Sequence, residues 1–190
     1  MFSNLFNKSL VALALMVAPA FAEGDGPGPN LVIEVSGQAN GTIVIDLNTK
    51  APKHVAQIVA LAQAGAYDNV IFHRVIADFM AQTGDVQYGK AGGDTAMAGM
   101  GGSDLPDIEA EFSDEPFARG TVGMARAQDP DSANSQFFIM FAPGDFLNGQ
   151  YTVIGQVISG MEVVDQIKLG DGQNGEVTGP DIMTKVTVTE

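Results

Sequence analysis

The chain has 190 residues, contains no cysteine and carries a formal net charge of −14 at pH 7. This length supports one domain with a substantial core. The absence of cysteine excludes disulfides, thiol nucleophiles and cysteine-containing metal sites. The acidity argues against nucleic acid and anionic membranes as partners, because both are bound by basic surfaces. Its simplest interpretation is solubility.

The N-terminus has the features of a signal peptide. Lys8 supplies a positive charge, the segment from Leu10 to Ala18 is apolar, and Ala20-Phe21-Ala22 matches a cleavage site before Glu23. The apolar segment is too short to cross a membrane. An N-terminal core helix is the alternative, but small residues end the apolar run where a signal peptidase would cut. We therefore predict a cleaved signal peptide over residues 1–22 and a periplasmic or, alternatively, a secreted protein without membrane insertion.

The rest of the chain is expected to form one domain, residues 31–190, after a flexible lead-in over residues 23–30. The residue pattern predicts a helix that begins at Pro52 and ends at Gly65, and a second short helix over 160–169. The predicted strands are 31–35, 42–47, 70–76, 79–82, 120–126, 136–141, 152–157 and 186–188. Many short strands, two helices and no βαβ rhythm predict a mainly β fold, an antiparallel barrel or sandwich.

Two segments resemble ligand sites but lack the residues those sites need. Residues 89–102 contain six glycines in fourteen positions, yet no complete G-x-x-x-x-G-K-[ST] motif and no strand-loop-helix context accompany them. We predict a mobile loop there. Asp129, Asp131 and Asn134 resemble a calcium loop without its glycine and distal glutamate, which predicts an acidic surface turn. No metal site and no cofactor are therefore expected.

The two histidines, His54 and His73, offer little support for a hydrolase or a metal enzyme. They form no His-x-x-x-His pair, and no G-x-S-x-G motif accompanies them. Since side chains alternate along a strand, His73 lies opposite Arg74. We expect His73 to be buried with its hydrogen bonds satisfied.

Two polar side chains, Arg74 and Gln136, each lie among large apolar residues on a predicted strand. Alternation places Phe72, Arg74 and Ile76 on one face of the first strand. In the second strand, alternation separates Gln136, Phe138 and Met140 from Phe137, Ile139 and Phe141. This pattern suits a shallow apolar pocket with a few directed hydrogen-bond donors.

Prolyl cis/trans isomerisation is a reaction that needs no nucleophile, base or metal. Its barrier is the partial double bond of the amide, about 18–20 kcal/mol, and the unassisted X-Pro reaction takes roughly tens to hundreds of seconds. A catalyst needs an apolar pocket for the proline ring, anchors for the flanking peptide and a cation that hydrogen-bonds the prolyl nitrogen. That hydrogen bond stabilises the twisted amide more than the planar forms.

The residues resemble the cyclophilins over essentially the whole of the chain after residue 22. The matching segments include GTIVIDL (41–47), FHRVI (72–76), FMAQTGD (79–85), GTVGMARA (120–127), NSQFFI (134–139) and FLNGQYTVIGQV (146–157). Several independent motifs occur in the family's order. The resemblance implies a closed eight-stranded antiparallel barrel capped by two α-helices, and peptidyl-prolyl cis-trans isomerase activity.

The resemblance also implies roles for individual residues. Arg74 corresponds to the arginine that acts on the prolyl nitrogen. The remaining substrate-binding residues fall into three groups: walls of the proline pocket (Phe79, Met80, Phe138, Leu147), anchors for the flanking peptide (Gln82, Gln136 and the backbone near Ala125 and Arg126) and a rim (Phe146, Tyr151).

Several positions depart from the commonest family pattern, and three of them belong to the predicted site. Phe146 replaces a common tryptophan, Tyr151 a common histidine and Arg126 a common asparagine, and similar residues are usual in exported bacterial members. Because Phe146 lacks the indole N–H donor, we expect weak cyclosporin binding.

The leading hypothesis is an isomerase that acts on proline-containing peptides and unfolded exported proteins, and the family implies a monomer. Two alternatives remain open. One is a non-catalytic chaperone that binds proline-containing segments, which would use the same pocket without needing Arg74. The other is a structural protein of the cell envelope with no peptide site.

Overall fold

The computed structural model describes residue 26 and residues 28–190. The predicted signal peptide and half of the predicted lead-in, residues 23–25 and 27, lie outside the described residues. The strands are β1 (Asn30–Ser36), β2 (Gly41–Leu47), β3 (Val70–Ile71), β4 (Arg74–Ile76), β5 (Met80–Thr83), β6 (Thr121–Met124), β7 (Phe137–Met140), β8 (Val153–Ser159) and β9 (Ile182–Thr189). The helices are α1 (Pro52–Gln63), α2 (Met161–Val164) and a short 3₁₀ helix (Asp145–Leu147).

All nine strands belong to one curled antiparallel sheet, in the order β3-β9-β1-β2-β8-β6-β7-β5-β4. The predicted mainly β fold with two α-helices is confirmed, but the prediction of eight strands in a closed barrel is not matched. The predicted strand 70–76 is interrupted at Phe72 and His73, because its two halves pair with different neighbours. β3 pairs with β9 and β4 pairs with β5, so the two edges of the sheet come from one segment of the chain.

The interruption also corrects the predicted faces of this segment. Phe72 is fully buried in the main core together with Val75, whereas Arg74 and Ile76 lie on the other face. The Phe72 amide donates to the carbonyl of Asp181 instead of continuing the β4 ladder. Phe72 therefore does not share a face with Arg74.

Strand β7 separates two apolar clusters. Phe137 and Ile139 point into the main core, which the first two strands and α1 also fill. Phe138 and Met140 point to the opposite face and form a smaller cluster with Met80, Phe117, Leu147 and Val153. The predicted alternation of this strand is confirmed, and the smaller cluster is the floor of the site described below.

The helix α1 begins without a side-chain cap of its own. Instead, the carboxylate of Glu111 accepts hydrogen bonds from the backbone amides of Lys53 and His54, which satisfies N–H groups that a helix start leaves unpaired. The helix ends before Gly65, whose φ of +68° is in the left-handed region. No helix of the described residues is both long and apolar enough to span a membrane.

The second helix is shorter than predicted, four residues instead of ten. After Val164 the chain continues in tight turns, in which Gln166 N donates to Val163 O and Ile167 N to Val164 O. Ile167 is nevertheless buried together with Val163 and Val164, although the regular helix stops earlier.

Candidate functional site

Three neighbouring strands align Arg74, Gln82 and Phe138 in one row on the outer face of the sheet. Arg74 of β4 is paired with Gln82 of β5, and Gln82 is paired with Phe138 of β7. Directly paired residues on antiparallel strands lie on the same face with close Cβ atoms. Residues that are 64 positions apart in sequence therefore meet side by side.

This row borders a cavity of about 230 Å³. The cavity is lined by ten of the eleven residues predicted from the sequence, namely Arg74, Phe79, Met80, Gln82, Ala125, Arg126, Phe138, Phe146, Leu147 and Tyr151. The eleventh, Gln136, lies beside it and accepts a hydrogen bond from Gln82 Nε2 at 2.9 Å. Their roles in binding and catalysis remain predictions, but the structure brings the residues together.

The floor of the cavity includes Phe138, which a second phenylalanine, Phe117, supports from beneath. Phe138 is only 5% exposed, and its ring stacks on that of Phe117 with centroids 5.7 Å apart. A Cβ atom at Gly123 would lie 2.6 Å from Phe138 and 2.5 Å from Phe117, so the opposite strand needs a glycine there. Phe117 was not predicted as part of the site, because it comes from an irregular segment with no periodicity.

The guanidinium of Arg74 is held by neutral acceptors. Its Nη1 donates to Gln82 Oε1 at 3.2 Å and contacts the Met80 sulfur at 3.9 Å, and its Nε donates to the carbonyl of Asn174 at 2.9 Å. No ion pair among the described residues involves Arg74. The side chain is half-buried and makes no ion pair. The Glu176 carboxylate, whose pKa is lowered first by a hydrogen bond from the Asn174 amide, also interacts with the Arg74 charge through space. The contribution of Asn174 had no signal in the sequence.

The two aromatic rings of the rim each contact another aromatic ring of the site. Phe146 is 65% exposed and its ring lies 5.5 Å from that of Phe79. Tyr151 packs edge-on against Phe138 at 5.9 Å and against Phe117 at 6.5 Å. Edge-to-face contacts of this kind stabilise aromatic clusters beyond the area they bury.

The side chain of Arg126, and not only its backbone, belongs to this rim. Its guanidinium carbon lies 4.4 Å from the centre of the Tyr151 ring. The same group donates to the carbonyls of Gln150, Ala127 and Gln128. Arg126 thus joins the end of β6 to the segment that carries Tyr151.

A second cavity, of about 530 Å³, adjoins the first and shares Gln82, Ala125 and Arg126 with it. Its other wall is the end of the Gly-rich loop, which is hydrogen-bonded to the site. Gln136 Nε2 donates to the carbonyls of Gly99 and Gly101 at 3.0 and 2.7 Å. The loop predicted at 89–102 therefore contacts the residues predicted to anchor the peptide.

His73 is buried between these groups with 7% of its surface exposed. It lies near the Gln136 amide, but neither ring nitrogen makes a well-aligned hydrogen bond within the described residues. The predicted burial is confirmed, whereas the predicted satisfied bonding is not supported by a well-aligned hydrogen bond. Burial lowers the pKa of His73 to about 4, so the ring is neutral near pH 7. No group of three or more His, Cys, Asp or Glu residues in the described part of the chain could hold a metal ion.

Comparisons with known proteins agree with this geometry. Residues 31–188 match the family model described as cyclophilin type peptidyl-prolyl cis-trans isomerase. The chain belongs to the cyclophilin family. The predicted enzyme class, peptidyl-prolyl cis-trans isomerase, is thereby confirmed.

Individual relatives show how far the similarity extends. A probable peptidyl-prolyl cis-trans isomerase of Brucella suis is 52% identical over 98% of this chain and 95% of its own length. A peptidyl-prolyl cis-trans isomerase-like 1 protein of Aspergillus oryzae is 38% identical over 68% of this chain and 77% of its own.

Two crystal structures of cyclophilins also superpose on the chain. A cyclophilin of Cryptosporidium parvum, crystallised in the presence of the dipeptide Ala-Pro, has a TM-score of 0.73 at 25% identity, covering 85% of this chain and 99% of its own. The cyclophilin AquaCyp293 of Hirschia baltica has a TM-score of 0.70 at 25% identity, covering 85% and 74%.

Proposed function

We propose that this cyclophilin accelerates rotation about X-Pro peptide bonds in exported proteins, with the proline ring in the cavity above Phe138. The cavity volume of about 230 Å³ and its apolar floor suit a small ring. The Cryptosporidium cyclophilin was crystallised in the presence of the dipeptide Ala-Pro, which supports the proposal of a proline-containing ligand.

Arg74 is the proposed catalytic residue. One of its N–H groups donates to the prolyl nitrogen as the amide twists, and this contact localises the nitrogen lone pair. Because the planar amide has no such basic lone pair, the contact is strongest in the twisted state and lowers the barrier. The observation that carries the proposal is a guanidinium at the cavity that neutral acceptors orient and that forms no ion pair with a carboxylate.

The polar residues beside the cavity fix the peptide on either side of the proline. Gln82, Gln136 and the backbone at Ala125 and Arg126 serve as anchors for the segment before the proline. Phe146 and Tyr151 enclose the ring from the rim. These contacts fix one side of the X-Pro amide, so that the other side rotates relative to it in a defined orientation.

The site of action is proposed to be the periplasm, reached through the predicted signal peptide, with the enzyme acting as a monomer. The segment before Glu23 has the features of a signal peptide. Mass spectrometry of the exported form tests this: a mature N-terminus at Glu23 is expected. An N-terminus at Met1 on protein recovered from the cytoplasm would contradict it.

Isomerisation of an Ala-Pro tetrapeptide, followed with the wild type and two arginine variants, tests the function. Arg74→Ala is expected to lower kcat/KM by at least about tenfold, roughly 1.4 kcal/mol of transition-state stabilisation, while peptide binding survives. Arg119→Ala is the matched control, because Arg119 is paired with Asp165 and is absent from the cavity lining. Equal rates for wild type and Arg74→Ala would reject the catalytic role and favour a non-catalytic binder of proline-containing segments.

A further inference from the structure

Asp85 is a fully buried carboxylate that serves the Gly-rich loop. Its Oδ1 accepts hydrogen bonds from the amides of Gln87 and Tyr88 at 3.0 and 2.9 Å. Its Oδ2 accepts from the amides of Gly99 and Gly101 at 2.7 and 2.9 Å. No ion pair in residues 28–190 involves Asp85, and its exposed fraction is 0%. Four N–H donors therefore replace the water that a buried carboxylate loses.

The position of the loop on Asp85 determines which atoms of the loop face Gln136. With the Gly99 and Gly101 amides directed at Asp85, the carbonyls of the same two residues accept from Gln136 Nε2. A carbonyl can only accept, so the Gln136 amide is held with its NH₂ group toward the loop and its oxygen toward Gln82. The loop thus fixes the direction of the Gln136 side chain.

This direction is passed on to Arg74. Gln136 Oε1 accepts from Gln82 Nε2 at 2.9 Å, which leaves Gln82 Oε1 to accept from Arg74 Nη1 at 3.2 Å. If the Gln136 amide reversed, the Gln82 amide would reverse with it, and an NH₂ group would face the guanidinium. Two donors facing each other repel, so the orientation of Arg74 depends on the direction of both amides.

The packing leaves the loop little room to change its position. A Cβ atom at Gly101 would lie 2.6 Å from Asp85 Oδ1, and one at Gly99 would lie 3.1 Å from the ring of His73. Both glycines lie in contact with the residues beneath them. The loop end is therefore held closely against Asp85 and His73.

We propose that Asp85 is a positioning residue for the isomerase reaction, which acts through Gly99, Gly101, Gln136 and Gln82 to orient the Arg74 guanidinium. The inference rests on the proposed catalytic role of Arg74. It extends the functional site to Asp85, a buried acid that holds the Gly-rich loop. Asp85 itself is not proposed to contact the substrate.

A double-mutant cycle between Asp85 and Arg74 tests the proposal. Asp85→Asn keeps the size of the side chain but replaces one acceptor oxygen by an NH₂ group, so two of the four N–H donors lose their partner. We expect Asp85→Asn to lower kcat/KM by about tenfold in the wild-type background, mainly through kcat. In the Arg74→Ala background the same change is expected to cost less than about twofold, because the group it orients is gone.

Asp181→Asn is the matched control, because it makes the same substitution at another buried aspartate. Asp181 is 1% exposed and its carboxylate accepts from the amides of Ala39 and Lys168, away from both cavities. It should lower the free energy of unfolding without changing kcat. Equal losses of activity from Asp85→Asn in both Arg74 backgrounds would overturn the proposal, since a purely structural role is additive.

A loop variant decides the matter if Asp85→Asn fails to fold. Gly101→Ala pushes the loop off Asp85 without altering the acid, and it should lower kcat/KM by about fivefold. Gly93→Ala lies in the same loop, where its Cβ would meet only the Lys90 carbonyl at 3.3 Å, and it should retain native activity. Equal activity of Gly101→Ala and Gly93→Ala would reject the inference. Full activity of Arg74→Ala would reject the proposed catalytic role of Arg74 itself. A loss of activity in Arg74→Ala, combined with equal activity of the two glycine variants, would reject only the positioning role of Asp85.

Discussion

Arg74 and Gln82 are directly paired across β4 and β5, and the arginine donates to the glutamine oxygen at 3.2 Å. The partner of the Arg74 guanidinium is thus a neutral amide. By contrast, the surface residue Arg119 pairs with a carboxylate, that of Asp165. A neutral acceptor orients the cation and leaves its charge available. This distinction suits a group that has to hydrogen-bond a transient lone pair on the substrate.

Changing the charge of this partner is expected to lower turnover. In Gln82→Glu the new carboxylate would form an ion pair with Arg74 and hold the guanidinium away from the substrate. We expect kcat/KM to fall by about tenfold. The variant also loses the N–H donor whose hydrogen bond Gln136 Oε1 accepts, which adds to the loss in the same direction. Gln156→Glu, a change of the same charge at an exposed position on β8, is the control. Native kcat/KM in Gln82→Glu would contradict the role of the neutral partner.

Adjacent phenylalanines on β7 allow packing and binding to be separated. Phe138→Leu and Phe137→Leu remove the same atoms from buried positions on opposite faces of one strand, and each should lower the free energy of unfolding by about 1–2 kcal/mol. Only Phe138→Leu should also weaken binding of an Ala-Pro peptide, by about fivefold. Chemical-shift titration measures both affinities. A similar affinity in the two variants would show that Phe138 does not contribute to peptide binding.

The sequence predicts strands well where alternation and motif agree. Strand β7 has its apolar residues on two faces, and both faces are filled as expected. The motifs also identify residues that line the cavity, because each is a local pattern on a strand or next to one. The interruption at Phe72 could not be predicted, since it depends on which strands the two halves of the segment pair with.

The sequence also did not predict the site residues that come from loops distant in sequence. Phe117 stacks under Phe138, and Asn174 accepts from an arginine 100 positions earlier. Neither residue lies in a periodic segment, so only the tertiary arrangement reveals it. The same holds for the loop end at Gly99 and Gly101, which composition identifies as a loop without indicating its contact with Gln136.

The stack between Arg126 and Tyr151 is expected to govern peptide affinity more than turnover. Removing the guanidinium in Arg126→Ala frees the Tyr151 ring and should raise the Kd of an Ala-Pro peptide by about threefold to fivefold, with kcat nearly native. Arg126→Lys keeps the charge but loses the planar group that donates to three carbonyls. It should therefore resemble Arg126→Ala. An unchanged Kd in Arg126→Ala would show that the stack does not hold the rim.

Cyclosporin inhibition is expected to be weak in the wild type and to strengthen in Phe146→Trp. The Phe146 ring is exposed at the rim, so an indole can extend there without displacing the core. Its N–H adds one hydrogen-bond donor, which should tighten inhibition by about fivefold. Phe146→Leu supplies the control without a donor. Equal inhibition of wild type and Phe146→Trp would show that the missing donor is not the cause.

The buried His73 is expected to make the protein less stable as the pH falls. Burial lowers its pKa from the ordinary 6.5 to about 4 in the folded state. Above pH 6.5 the ring is neutral in both the folded and the unfolded chain. Between pH 6.5 and 4 the unfolded chain binds a proton that the folded chain does not, so the free energy of unfolding decreases as the pH decreases, by up to about 3 kcal/mol.

His73→Phe isolates this effect, because it keeps an aromatic ring and cannot titrate. Denaturant unfolding of wild type and variant at several pH values gives the difference between their free energies of unfolding. The titration of carboxylates such as Asp68 and Glu111, whose pKa values are also lowered, is common to both proteins and cancels. The difference should change by about 3 kcal/mol in favour of the variant between pH 6.5 and 4. If the difference between the two free energies of unfolding stayed constant over this window, His73 would bind its proton as well in the folded protein as in the unfolded chain. This result would contradict the effect expected from its burial.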